Sequence, residues 1–255
     1  MINREEITAN FNTYVAPYNA SDEKIRLKID HTFRVASLCE QIAESEKWSR
    51  EDVDLAWFLG MLHDIGRFEQ ILRYGTFSDA DSIDHANFGA NLLFKEGLIE
   101  RFPFGDEASA PLVETAIRNH SVYRLPEALD ERTRDFCNIL RDADKIDIFR
   151  VNVDIPLEKI YNTTTEELVH CVVTEAVMES FREKHATLRA LKKVPVDHVV
   201  GHISLVYELV YPVSTRIVKE QGYLERLAHF HSEDVKAQEQ FDSIRRQLRE
   251  DGLLG

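Results

Sequence analysis

Five segments of the chain carry side chains of the kinds that hold divalent metal ions: His31, the adjacent pair His63-Asp64, His85, His120 and Asp144. A neutral imidazole offers one nitrogen and a carboxylate can bridge two ions, a combination suited to Mn, Fe, Co, Ni or Zn. Each also has a plain structural reading, such as a His and an Asp finishing a core helix. The pair His63-Asp64, however, follows Leu55, Phe58, Leu59 and Leu62, a segment apolar almost all round, which is the mark of a central buried helix. A carboxylate in such a place needs a partner, because leaving it unpaired costs several kcal/mol.

The elements that must position these residues read as helices throughout, with no strand expected. Phe11, Tyr14, Val15 and Tyr18 stand at helical spacing and predict a short lead-in helix whose aromatics pack on the body, with Tyr14 a core residue rather than a site residue. Ser21 is the expected N-cap of a long helix through Lys47 carrying His31 and Arg34. Ser49 and Asp52 predict the next start, with Gly66 as its stop. Residues 69–82 read as a polar, Gly-containing connection able to line a site. Asp84 caps a helix that opens at His85, Pro111 opens one that runs to His120, and a periodic stretch from Asp130 to Phe149 carries Asp144. Beyond it, helices are expected from Thr164 through Phe181 with a Thr164/Glu167 capping box, from Val199 to Val218 with a kink at Pro212, and from Ser232 to Leu248. The expected organisation is residues 1–150 as one domain and 151–255 as a helical extension packed on it, there to close a pocket or build a homodimer interface.

Composition narrows the partners. The 255 residues carry a formal charge of −14, which disfavours a nucleic-acid duplex or an anionic membrane as the binding surface, since both need a basic face. A small anionic substrate stays compatible where a metal or an Arg cluster overrides the field. Cys39, Cys137 and Cys171 are odd in number and lie among apolar neighbours, so they read as buried thiols of a reducing compartment. With no basic-then-apolar leader and no membrane span, a cytoplasmic location is expected.

The order His, His-Asp, Asp, with Leu62 to Arg67 reading LHDIGR and Arg141 to Asp147 reading RDADKID, resembles the HD-domain metal-dependent phosphohydrolase superfamily over roughly residues 20–150. The resemblance implies an all-α bundle in which His31, His63, Asp64 and Asp144 are metal ligands. His85 and His120 match two further histidines of members that hold two ions. It also implies that Asp64 bridges, with His31, His63 and Asp144 on one ion and His85 and His120 on the other. The chain has Ser121 after His120, where cyclic-dinucleotide phosphodiesterases of the family have a second histidine, and it lacks their Gly-Tyr-Pro signature. That substrate is therefore not expected.

The chemistry implied is hydrolysis of a small phosphate ester or nucleotide at a dinuclear site holding two divalent ions (Mn, Fe, Co, Ni, Zn or Mg), by attack of a metal-bound hydroxide. Asp64, Arg67 and Lys145 are the expected catalytic residues. Arg34, Arg67, Arg118 and Arg124 are the substrate-binding candidates, Arg67 as a bidentate phosphate clamp. Asp142 and Asp147 could orient ligating histidines. Two other functions share the same ligands: an HD-fold di-iron oxygenase cleaving a C–C or C–P bond with dioxygen, and a non-catalytic metal- or ligand-binding module. His198 and His202 stand four apart, as zinc pairs do, but nothing nearby completes a site, and they read as structural.

Overall fold

A computed structural model of the chain describes residues 2–19, 21–105 and 107–255. Among them every regular element is helical, and no helix is long and apolar enough to cross a membrane. The chain divides into two compact units, the first ending at Asp144 and the second running from Lys145 to Gly255.

The first unit contains α1 (Arg4–Val15), α2 (Glu23–Ser45), α3 (Arg50–Leu62), α4 (Ile65–Tyr74), α5 (His85–Phe94), α6 (Ala110–Asn119) and the larger part of α7 (Glu131–Asp154). Helix α1 docks through aromatic edges, with Phe11 set 5.6 Å from Phe33 and 5.9 Å from Phe68. Helix α3 is buried from Val53 to Leu62, as its apolar circumference requires.

Two glycines set how closely the helices approach. A Cβ on Gly60 would stand 2.5 Å from the Ala36 Cα, so α3 lies backbone to backbone on α2 at that point. A Cβ on Gly66 would stand 2.7 Å from the His85 carbonyl oxygen and the Gly89 amide nitrogen, and the same closeness holds between α4 and α5. These contacts draw the ends of α3, α4 and α5 towards His31 on α2.

Several starts lie where the sequence puts them. Ser49 accepts from the Asp52 N–H, Asp84 from the Asn87 N–H, Asp130 from the Thr133 N–H, and Pro111 is in the first turn of α6. Other boundaries differ. The N-cap of α2 is Asp22, which accepts from the Lys24 N–H at 2.8 Å, not Ser21. Gly66 does not stop a helix: α3 ends at Leu62, Asp64 leaves helical geometry at φ −102° and ψ 15°, and α4 begins at Ile65. Residues 69–74 are therefore helical, and only the segment after Gly75, at φ 69°, is a connection.

The second unit contains α8 (Leu157–Tyr161), α9 (Thr165–His170), α10 (Glu175–Arg182), α11 (Pro195–Ile203), α12 (Pro212–Gln221), α13 (Tyr223–Ala228) and α14 (Val235–Glu250). The Thr164/Glu167 capping box forms, but α9 stops after six residues. The buried Asp197 carboxylate explains the interruption that follows, because it accepts from the Thr174 backbone and hydroxyl at 2.8 and 2.7 Å and from the Lys193 and Val194 N–H groups. Pro212 opens a new helix rather than kinking one. His198 and His202 both stack on Tyr161, at 5.4 and 5.5 Å between ring centroids.

Gly60→Ala is expected to destabilise the protein by about 2 kcal/mol, the scale of overpacking a close backbone contact. Leu72→Ala, at a side chain 68 % exposed, should stay within about 0.5 kcal/mol of the parent. Urea denaturation of the two variants checks both, and a Gly60→Ala midpoint equal to the parent's would contradict the packing described.

Candidate metal centre

Six side chains from five helices and their ends meet at one place. His31 comes from α2, His63 from the residue after α3, Asp64 from the α3–α4 junction, His85 from the first position of α5, His120 from the residue after α6, and Asp144 from α7. The His31 and His63 Nε2 atoms are 3.2 Å apart, and those of His85 and His120 are 3.0 Å apart. Asp64 stands between the two pairs. Its Oδ2 is 3.6 Å from both nitrogens of the first pair, and its Oδ1 is 3.5 and 3.7 Å from those of the second. Asp144 joins the first pair, with Oδ1 3.2 Å from His31 and 3.9 Å from His63.

The ring protons decide whether this donor set fits a metal. His63 Nδ1 lies 2.8 Å from the Gly60 carbonyl oxygen and His120 Nδ1 2.7 Å from the Ile117 carbonyl oxygen. Both carbonyls can only accept, so each Nδ1 carries the proton. Each acceptor stands three residues upstream, at a helix end where carbonyls lack an intrahelical donor. His85 Nδ1 is 2.6 Å from the Asp79 carboxylate and donates to it likewise. A neutral imidazole has one proton, so the Nε2 atoms of His63, His85 and His120 all present lone pairs to the cluster. Between His85 and His120 this leaves two bare nitrogens 3.0 Å apart in a buried space, a repulsive contact that a cation placed beside both would remove. Two ligands of one ion with bonds of ~2.0–2.1 Å stand about 3.0–3.4 Å apart; the two imidazole pairs, at 3.2 and 3.0 Å, match, while the Asp64 oxygens stand slightly farther off at 3.5–3.7 Å. The buried His and Asp groups could therefore hold metal ions, with His31, His63 and Asp64 as one ligand group and Asp64, His85 and His120 as another.

Electrostatics keeps these donors in the binding form. Burial pushes the His63 imidazole down to about 3, against the pull of Asp64 and Asp144. Burial and then Arg67 push His85 down to about 4. Burial alone would raise the Asp64 carboxyl, but the charges of Lys28 and then Arg67 oppose it, and the group is held well below the carboxylate range. Asp144 is lowered against its burial by His31, and Asp79 by His85 and Arg67.

A tied loop supports the second imidazole pair. Arg67 Nη1 donates to Gln70 Oε1, the Phe77 carbonyl and Asp79 Oδ1 at 2.8, 2.7 and 2.8 Å. Gln70 Nε2 donates to Asp79, Ser82 and Ile83. Asp79 is thereby fixed to orient His85. The buried Arg67 Nε has no hydrogen-bond partner and lies 3.6 Å from Asp64 Oδ1.

The other residues expected to act on substrate fall in different settings. Arg34 is half-buried on α2, three residues after His31. Arg118 bridges α6 to α5, bonded to Glu114, Asn87 and Asn91. Arg124 is exposed and lies over the Tyr123 ring. Lys145 is buried as the first residue of the second unit, and Asp142 and Asp147 are buried on α7. Tyr14 donates to the Ile65 carbonyl at 3.2 Å and packs on Phe68. Sequence reasoning missed Lys28, whose Nζ is 2.6 Å from Asp64 Oδ2, as well as Asp79 and Gln70. A signal existed for Lys28, which stands one helical turn before His31. For Asp79 it was confined to an acidic run in a connection, where solvated carboxylates are common.

Residues 29–149 match the family model described as HD domain. No curated protein and no solved structure matches the chain.

The depressed imidazoles predict how the chelator-stripped protein responds to pH. Above about 6.5, the ordinary histidine value, the rings are neutral in folded and unfolded chains alike and add no pH dependence. Below it the unfolded rings take up protons that folded His63 and His85 resist until about 3 and 4, so stability falls as the pH drops from about 6.5 to about 4. Thermal melts across that range, with nitrogen-15 spectra of the two rings, check this. Rings of His63 and His85 that titrate near 6.5 would contradict it.

Proposed function

With an HD domain at residues 29–149, we propose that the protein is a divalent-metal-dependent phosphohydrolase acting on a small phosphate ester or nucleotide at a dinuclear site. One observation carries the reading: two pairs of closely set imidazole nitrogens, His31 with His63 and His85 with His120, each share one oxygen of the same buried carboxylate. On this reading His31, His63 and Asp144 would hold one ion and His85 and His120 the other, with Asp64 available to both. Ions bound there would supply Lewis acidity, both to neutralise charge gathering on a phosphoryl group and to acidify an attacking water.

The chain's own residues orient and position. The Gly60 and Ile117 carbonyls and the Asp79 carboxylate hold the Nδ1 protons of His63, His120 and His85, so the neutral rings turn each Nε2 lone pair to the cluster. Arg67 is held on one side by its loop through Nη1, so only its remaining N–H groups, among them the unpartnered Nε, could meet a phosphoryl oxygen beside Asp64. That is a narrower role than a bidentate clamp. The hydrolase reading draws support from Arg67 and Lys28, two cations against the Asp64 carboxylate whose charge suits a phosphoryl group bound beside it.

Stripped protein reloaded in turn with Mn, Co, Ni, Zn, Fe or Mg is expected to release phosphate from 4-nitrophenyl phosphate or from nucleoside monophosphates with at least one of them. Asp64→Asn should lower that turnover by at least about a hundredfold, with helical content unchanged by circular dichroism. Turnover equal to wild type in the variant would overturn the assignment. Dioxygen uptake by the iron form without phosphate release would replace it with the oxygenase reading.

A further inference from the structure

The Lys28 Nζ sits 2.6 Å from Asp64 Oδ2, and this is the same oxygen that faces His31 and His63 at 3.6 Å each. Its ammonium therefore stands beside the ligand group of one ion. The other oxygen, Oδ1, faces His85, His120 and the Arg67 Nε. The Lys28 ammonium also lies 5.8 Å from the Phe77 ring centroid, and the Arg67 guanidinium 5.9 Å from the same ring. Phe77 thus lies by both cations, on the segment that Arg67 ties down through the Phe77 carbonyl.

A lysine suits a place from which a cation must move. Its charge is a point at the end of a flexible four-carbon stem, whereas an arginine would be fixed by its planar fork. A dication taking up Asp64 Oδ2 repels an ammonium at that atom, and the stem allows Nζ to swing aside while staying next to the cluster. There it meets whatever anion the ions bind.

Building on the phosphohydrolase reading above, we propose that Lys28 is a substrate-binding residue held in reserve: in the metal-free chain it pairs with Asp64, and on metal loading it passes to a phosphoryl oxygen of the substrate. Lys28 then opposes metal binding and favours phosphate binding. A residue that merely shapes the fold would not change these two affinities in opposite directions.

Calorimetric titration of stripped protein with Mn(II), and of the Mn-loaded protein with inorganic phosphate, reads both effects apart from turnover. Lys28→Met and Lys28→Gln should bind Mn(II) about tenfold more tightly and phosphate about tenfold more weakly than wild type. The Gln variant keeps a polar N–H donor on the side chain, which keeps the test valid if the Met variant folds poorly without metal. Variants that bind phosphate as wild type does, or that bind Mn(II) more weakly, overturn the role of Lys28 and leave the phosphohydrolase reading standing. Wild-type protein that binds no Mn(II) overturns both.

Discussion

A carboxylate buried between two pairs of imidazoles is the constraint to which the first unit answers. Asp64 is 3 % exposed, and an ion so placed costs several kcal/mol unless its oxygens are compensated. Lys28 compensates one oxygen directly, while the neutral rings around it turn lone pairs, not protons, towards the cluster. Lone pairs facing a carboxylate do not stabilise it. The arrangement could hold cations, and the proposed chemistry follows from that imbalance.

The helices are packed so as to keep the imbalance in place. Gly60 against Ala36 and Gly66 against His85 and Gly89 are points where any side chain would push helices apart, and each lies beside residues of the cluster. The donors stand at helix ends or at the junction Asp64, apart from His31 and Asp144, which lie within α2 and α7. Helix ends supply unpaired carbonyls, and two of these, from Gly60 and Ile117, orient the imidazoles. The Arg67–Asp79–His85 chain does the same work for the third.

The all-helical character was legible because apolar residues recur at helical spacing and because caps such as Ser49, Asp84 and Thr164 act locally. The HD pattern was legible because its motifs are short and ordered. What the sequence concealed depends on tertiary contact. Gly66 looks like a helix stop, yet its lack of a side chain serves the approach of α5, and the chain breaks at Asp64 instead. The segment from Thr164 to Phe181 has continuous helical periodicity, and only the distant Asp197, by binding the Thr174 backbone, shows why it is interrupted. Lys28 and Asp79 escaped because a basic residue on a helix and an acid in a loop ordinarily face solvent. Their importance comes from the partners, Asp64 and His85, that folding brings to them.

The central claim is that the two imidazole pairs each hold an ion against one oxygen of Asp64. Anomalous scattering from crystals of the protein grown with Mn(II) and measured on both sides of the manganese absorption edge tests it most directly. The account predicts two peaks, one beside His31 and His63 and the other beside His85 and His120, with the Asp64 carboxylate between them. A map with no peak at the cluster, or with one ion bound away from Asp64, would contradict it.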